Sequence, residues 1–494
     1  MTNVTIGTRT GYLGADGHVL PADAQDFDVE NPATGAVIGQ AHEIRSSEVD
    51  MVVAQAERAF TGTWRDTAPD VRGALLRSWA DRITAHREEL AALELAEVGH
   101  VRKEVLGDID TAVRVLTYYA GLADKLEGTT FSRYPGRVAY GMDEPFGVVA
   151  GINAYNANIV FVAVKGGPAL VAGNCIVYKA AEQAPGSTFR MAELALEAGI
   201  PPGVVSVVTG RGETAGPLLC EHPAIGMVSF TGSPGAGQAV IRQSASTIAP
   251  VVLELGGKSP AILLPDADLE LALPSVLHSN FVKSGQSCIA GSRILVHESR
   301  YAEVTQELAK RAAAVRVGLP ADKRSEMGTL ISRRQRDHVH GLVGRAVAAG
   351  ATVMTGGAPA EDGPLAAGSF YQPTVLADVT DDNPAATTEA FGPMASVLSY
   401  SDIDEALARA NATSFGLSSQ IWGNDARTIH YLAGHLVAGT VWVNAHRALH
   451  PTVPSGGMKR SGFGREFGIA AVREFTRHKS VVWDLTTERA LPYT

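Results

Sequence analysis

The sequence predicts an α/β protein built around a doubly wound parallel sheet, with a second α/β region after it. Two observations carry this prediction. Between Val148 and Gly237, short runs of consecutive apolar residues alternate with stretches of helical periodicity. Strands covered on both faces by helices read as such unbroken runs, whereas half-exposed strands alternate. A second alternating series then occupies Pro260 to Val453. The 494 residues are too many for one core, and about three domains is the expectation for that length.

The elements follow in chain order. Residues 1–45 are turn-rich, with Asn31-Pro32-Ala33-Thr34-Gly35 as a turn between short strands. Ser46-Ser47-Glu48-Val49 starts a helix to Phe60, whose apolar stripe is Val49, Val52, Val53 and Ala56. Val71 to Leu95 reads as one long amphipathic helix and Val105 to Ala123 as another. Gly128 to Gly147 reads as a β-hairpin that leaves the main body. In the alternating region the strands are Val148–Ile152, Cys175–Tyr178, Val204–Val208 and Met227–Phe230; the helices are Val160–Val171, Gly186–Ala198 and one from Gly235. The second series includes strands at Ile294–His297, Val397–Tyr400 and Val441–Asn444, and helices at Arg300–Val315 and Ile403–Ala410. Ala358–Ser369 reads as an exposed loop, and Lys479–Leu485 as a last strand able to pair with the hairpin of its own or another subunit.

Charge and cysteine usage narrow the class. Lys and Arg number 42 against 52 Asp and Glu, a net charge of −10, which favours neither nucleic acid nor an anionic membrane as partner. Only Cys175, Cys220 and Cys288 are present, too few and too odd for a disulfide framework, so a reducing compartment is expected. Met1 to Leu20 lacks the basic-then-apolar pattern of a leader, and no run approaches the roughly 18 apolar residues of a spanning helix. A cytoplasmic protein without a metal site is the expectation.

Four stretches carry possible chemistry. Gly285-Gln286-Ser287-Cys288-Ile289-Ala290-Gly291 sets one thiol between glycines that let backbone amides approach a bound molecule. A thiolate attacks carbonyl carbon well, yet a free cysteine is more often a small buried hydrophobe, the reading kept for Cys175 and Cys220. Phe230-Thr231-Gly232-Ser233-Pro234-Gly235 joins a strand to a helix, as in a pyrophosphate site, but lacks the Gly-x-Gly-x-x-Gly spacing and equally suits an ordinary turn. Lys179 and Glu182 follow a strand, where they could hold ribose hydroxyls or simply be solvated; the carboxylate would disfavour the extra phosphate of NADP. Glu254, in Val251-Val252-Leu253-Glu254-Leu255-Gly256-Gly257-Lys258, is either a desolvated general base or a solvated turn residue.

Together these stretches resemble the NAD(P)-dependent aldehyde dehydrogenase superfamily, of the hydrolytic, non-CoA-acylating type, over nearly the whole chain. The resemblance also takes in Asn156 after Gly151-Ile152, Glu389-Ala390-Phe391-Gly392-Pro393, and Pro454-Ser455-Gly456-Gly457-Met458-Lys459-Arg460-Ser461-Gly462. It implies an aldehyde dehydrogenase-like fold. A Rossmann-like NAD-binding domain (1–126 and 146–256) adjoins an α/β catalytic domain (257–470), with a β oligomerisation flap (127–145 and 471–494) for a homodimer or homotetramer. It implies oxidation of a small-molecule aldehyde to the carboxylic acid through a thiohemiacetal and a thioester. Cys288 would be the nucleophile, Asn156 with the Cys288 N–H the oxyanion hole, Glu254 the base, and Lys165 and Glu466 a proton relay. NAD, or NADP, would lie against Ile152, Lys179, Glu182, Gly212, Phe230, Gly232, Ser233, Glu389 and Phe391.

The sequence departs from the commoner family pattern at Ala154-Tyr155-Asn156-Ala157-Asn158 and at Pro454-Ser455. Val164 and Leu449 stand where some members place aromatic rings. A substrate tunnel lined by Ala157, Val164, Ser287, Ile289, Leu449 and Ser455 is therefore expected to take a bulky aryl, terpenoid or cyclic semialdehyde. His446, Arg447 and His450 either meet a polar or anionic tail of that substrate or form a solvated loop. Two alternatives are a CoA-acylating enzyme of the same fold, whose members commonly lack a glutamate at the place of Glu254, and a catalytically silent structural or binding protein.

Overall fold

In the computed structural model, which describes residues 9–21, 25–487 and 493, two parallel sheets face a shared cavity. Residues 1–8 and 22–24 of the expected first domain, and 488–492 and 494 of the expected flap, lie outside the described residues. The centre of the first sheet is β1 (Val148–Ile152), β2 (Cys175–Lys179), β3 (Val205–Val208), β4 (Ile225–Thr231) and β5 (Val251–Glu254). Every residue of β1, β2 and β3 is buried, as their unbroken apolar runs require. Across the sheet the order is β3-β2-β1-β4-β5. The order reverses at β1, so successive crossovers leave it in opposite directions and a crevice opens beyond the carboxyl ends of β1 and β4.

Register places the candidate residues along that edge. Ile152 pairs with Lys179 on one side and Phe230 on the other, and Thr231 pairs with Glu254. The helix Asn158–Ala172 follows β1 and is buried along almost its entire length. It stops at Gly173, whose φ of 96° is the left-handed conformation that glycine adopts without a Cβ penalty. Antiparallel strands close the sheet at both ends, Tyr12–Gly14 beside β3 and Gly462–Phe463 beside β5.

The second sheet contains β6 (Pro260–Leu263), β7 (Arg293–His297), β8 (Thr374–Ala377), β9 (Met394–Tyr400), β10 (Ser418–Trp422) and β11 (Thr440–Val443). These run parallel in the order β8-β9-β7-β6-β10-β11, with Thr352–Thr355 antiparallel at the β8 edge. Alternate residues enter separate cores on its two faces. Ile262, Leu295 and Leu398 pack into one, while Ala261, Leu263, Ile294, Val296 and Val397 pack into the other. Beyond the two sheets, Thr476–Asp484 pairs antiparallel with Arg137–Pro145 of the same chain over nine residues, and Thr129–Phe131 completes a three-stranded flap.

The structure differs from expectation over Val71–Leu95, where the amphipathic stretch is two helices, Pro69–Ala85 and Arg87–Glu97. His86 separates them with φ −103° and ψ 21°, and its ring Nδ1 lies 2.9 Å from the Arg82 carbonyl; no Gly or Pro advertises the kink. Near the end of the chain lies the helix Gly468–Glu474. Its apolar residues Ala471 and Val472, with Phe467 and Phe475, pack into the first core.

Candidate active site

The cavity between the sheets has a volume of about 760 Å³. Asn156, Glu254, Cys288 and Glu466 all line it, as do the six expected tunnel residues Ala157, Val164, Ser287, Ile289, Leu449 and Ser455. One wall is regular structure. Glu254 ends β5, and its Oε1 is buried without a hydrogen-bond partner. Burial and the neighbouring Glu466 raise its pKa well above the usual carboxylate range, against the opposing pull of Lys165. A Cβ on Gly456 would stand 2.9 Å from that oxygen, so glycine there leaves the carboxylate room. Lys165, on the buried helix after β1, is fully enclosed. Its Nζ donates to Glu466 Oε1 at 2.8 Å and to Thr231 Oγ1 at 2.7 Å. Thr231 pairs with Glu254 across β4 and β5, so carboxylate, hydroxyl, ammonium and second carboxylate form one group in the cavity wall.

The opposite wall is irregular. Lys283, Ser284 and Gly285 take φ of 56°, 56° and 72°, three consecutive left-handed residues directly before the nucleophile loop. For Lys283 and Ser284 this conformation is strained, and a run of it persists only where surroundings impose it. The Lys283 N–H donates to Glu104 Oε1 at 2.7 Å, and its Nζ donates to Asp108 Oδ2 at 2.5 Å and to the Asn156 carbonyl at 2.9 Å. Gly285 lies so close to the 392–393 backbone that a Cβ would come within 2.2 Å of the Gly392 carbonyl. Asn156 Nδ2 donates to the Gln286 carbonyl at 2.9 Å, fixing the amide beside the loop with its second hydrogen still available.

Cys288 itself is half-buried and unpaired. Burial, then Glu389 and Glu254, push its thiol up to about 12, with only Arg447 drawing it down. Loss of hydration thus outweighs the pull of the nearby cation. A Cβ on Gly257 would stand 2.2 Å from the Cys288 carbonyl, so the loop after Glu254 rests directly against the nucleophile.

The candidate cofactor residues lie along the carboxyl edge of the first sheet. Lys179 is buried there, its pKa brought down to about 8 by burial. Glu182 accepts from the Gly212 N–H at 2.7 Å, joining the loops after β2 and β3. Ser233 caps the helix Pro234–Ser244 through the Ala236 N–H. Glu389 Oε1 accepts from the Gly257 N–H at 2.9 Å, with its carboxyl raised to about 7 by burial. The ring of Phe391 meets Tyr155 edge-on at 6.0 Å.

With this geometry the chain can be set beside known proteins. Residues 19–481 match the Aldehyde dehydrogenase family. The chain belongs to that family. It is 40% identical over 461 residues to the (Z)-2-((N-methylformamido)methylene)-5-hydroxybutyrolactone dehydrogenase of Acinetobacter baylyi, covering 93% of this chain and 94% of that one. The crystal structure of PnpE from Pseudomonas sp. WBC-3 matches with a TM-score of 0.96 at 36% identity, covering 98% of this chain and 100% of the other, and PnpE is also known in complex with nicotinamide adenine dinucleotide. Betaine aldehyde dehydrogenase from Staphylococcus aureus, in complex with NAD+, matches with a TM-score of 0.96 at 32% identity, covering 98% and 96% of the two chains.

This aldehyde dehydrogenase is therefore an oxidoreductase of a family that uses NAD(P). Its own residues fit that group. The switch-point crevice has a capped helix N-terminus where Gly235 faces open space. Both polar atoms of the Asn153 side chain, beside Ile152, are buried without a protein partner. Lys283, Thr231 and Gln286 were not singled out from the sequence. Lys283 interrupts the apolar run Phe281-Val282 ahead of the cysteine, the one signal that could have drawn notice. Of the three loop residues, Arg447 lines the cavity. His446 instead contacts Gln420 and the ring of Trp442, and His450 bonds Thr452 on the exterior.

Proposed function

We propose that this aldehyde dehydrogenase oxidises a bulky aldehyde, of the aryl, terpenoid or cyclic semialdehyde class, to its carboxylic acid with NAD. The observation that carries the reading is the convergence of Cys288, Asn156 and Glu254 on one cavity, which is roomy against the usual range of about 300–1,000 Å³. Aliphatic Val164 and Leu449 in its wall leave space for a ring. The hydroxybutyrolactone named for the Acinetobacter relative is a cyclic compound, which favours the same class.

In this reading the Cys288 thiol passes its proton to the Glu254 carboxylate as its sulfur bonds to the carbonyl carbon, and the carbonyl π electrons move to oxygen; the relay behind Glu254 clears that proton before hydrolysis. The second hydrogen of Asn156 Nδ2 and the Cys288 N–H receive that oxyanion, donors typically worth about 3–4 kcal/mol. When bound, the dinucleotide supplies the hydride acceptor. Hydride loss leaves a thioester on Cys288. Glu254 takes a proton from water, the water oxygen bonds to the acyl carbon, and the carbon–sulfur bond breaks to release the acid. The raised pKa of Glu254 suits a base, since a carboxylate in the usual range would hold that proton too weakly. Thr231, Lys165 and Glu466 are placed to carry the proton away.

The cofactor is assigned to the 1–126 and 146–256 domain, held by Ile152, Lys179, Glu182, Gly212, Phe230, Gly232 and Ser233, with Glu389 and Phe391 reaching it from residues 257–470. The Glu182 carboxylate at the ribose end favours NAD over NADP. Residues 257–470 form the catalytic domain. The flap, 127–145 and 471–494, joins copies into a homodimer or homotetramer; Phe131, Tyr140, Val482 and Trp483 expose apolar surface on it. Three free cysteines suit a cytoplasmic setting, and among the described residues no helix is long and apolar enough to cross a membrane.

The test is an NADH-absorbance screen across aldehydes, with NAD or NADP and with or without CoA, on wild type and Cys288→Ala. Bulky aldehydes are expected to give acid without CoA, and the variant none. Turnover of acetaldehyde equal to that of the best bulky aldehyde removes the size argument, and a strict need for CoA replaces hydrolysis with acyl transfer.

A further inference from the structure

We propose that the tunnel contains an anion subsite built on Arg447, which selects aldehydes bearing a carboxylate remote from the reacting carbonyl. The inference rests on the reading of this cavity as an aldehyde tunnel. The two buried lysines beside the cavity already have partners. Lys165 holds Glu466, and Lys283 holds Asp108. Arg447 is half-buried on the cavity wall, yet its one side-chain hydrogen bond is from Nη1 to the Ser287 hydroxyl at 3.0 Å, and it has no carboxylate partner among the described residues. A guanidinium carries five donors in a planar fork that matches a carboxylate. Most of that fork is therefore free in a partly desolvated space, where a charged partner is worth more than in water.

The backbone holds the fork in position. Arg447 takes φ of 51° and Asn444 takes φ of 49°, left-handed conformations that are strained for these residues. Asn444 ties the loop down by accepting from the Gly423 N–H at 3.0 Å and donating to the Gly423 carbonyl at 2.8 Å. Ser287 directly precedes Cys288, so the guanidinium stands one residue from the nucleophile. The substrate carboxylate is then separated from the aldehyde by a compact spacer such as one ring. Exposed Lys103 and Arg114 line the same cavity without carboxylate partners among the described residues. Of its carboxylates, Glu104 and Asp108 are bound by Lys283, Glu326 by Arg316 and Glu466 by Lys165, and Glu254 stands on the opposite wall. The imidazole of His278, also on the wall, is disfavoured as a cation by burial and by the nearness of Arg447 and Lys103, so the charge of the subsite rests on the guanidinium.

The test compares para-carboxybenzaldehyde with para-tolualdehyde, which differ in carboxylate against methyl, on wild type, Arg447→Met and Arg447→Lys. The ratio of kcat/KM values cancels any effect of Arg447 on the thiol itself. That ratio is expected to fall about ten- to a hundredfold in Arg447→Met, the usual worth of a hydrogen bond to a charge, and to recover in part in Arg447→Lys. An unchanged ratio overturns the subsite while leaving aldehyde oxidation intact. Binding of terephthalate by isothermal titration reads the subsite without turnover: loss in Arg447→Met supports it, and equal binding, or none to wild type, overturns it. Should neither aldehyde be oxidised by wild type, the aryl reading fails and the titration alone decides the subsite.

Discussion

The two walls of the cavity hold their functional groups in opposite ways. On the first, Lys165 and Glu254 ride on a buried helix and a strand end, in conformations any residue of those elements would adopt. On the second, Cys288 and Arg447 hang on loops with left-handed Lys283, Ser284, Asn444 and Arg447, kept in place by buried ion pairs and backbone contacts. The difference teaches where chemistry and selectivity reside. In the proposed mechanism the regular wall carries the base and the proton path, which every substrate would share. The irregular wall would then place the nucleophile and meet the variable end of the substrate, at the cost of conformational strain.

Altering the regular wall should have the largest effect. Glu254→Gln is expected to lower steady-state turnover by about 10²–10⁴, the usual contribution of a general base, while a first burst of NADH persists and acyl-enzyme accumulates in mass spectra. The pH dependence carries a sign. A carboxyl with a raised pKa stays protonated, and useless as a base, until the pH passes that value. Thioester hydrolysis should therefore quicken as pH rises past the ordinary carboxylate range, and the glutamine variant should lose that rise. A variant with an unchanged rise would move the base elsewhere.

The irregular wall is tested next through its foundation. Lys283→Met leaves Asp108 buried and unpaired and is expected to cost about 3–5 kcal/mol, read as a fall in denaturant midpoint. Adding Asp108→Leu should restore much of it; a single variant as stable as wild type would show that the pair is not what holds the left-handed run. The smallest effect is expected far from either wall. Trp483→Lys, on the exposed face of the flap, should change fold stability by no more than about 0.5 kcal/mol while shifting the mass seen in light scattering toward monomer. An unaltered mass would place the subunit contact away from this face.

What the sequence discloses follows the same division. The strands from Val148 to Glu254 are legible because burial on both faces demands unbroken apolar runs, and the catalytic candidates sit where those runs end. The short antiparallel strands Tyr12–Gly14 and Gly462–Phe463 span too few residues to carry a period. The pairing of Lys283 with Asp108 joins residues 175 apart, and its consequence for Asn156 lies in geometry that no local pattern encodes. Likewise Arg447 and His450 look equivalent as sequence, and only the turn of the backbone sends one to the cavity and the other outward.

The strand Gly462–Phe463 has one more consequence. It pairs with β5 beside Glu254, Ser461 closes on the Gly256 carbonyl at 2.7 Å, and Glu466 reaches Lys165, so the pocket takes part of its wall from a segment 205 residues along the chain from Gly256. During synthesis the thiol emerges from the ribosome before the segment that finishes its surroundings. A chain cut between Cys288 and Gly462 keeps the sulfur and the Glu254 carboxylate but lacks the strand and the second carboxylate that enclose them.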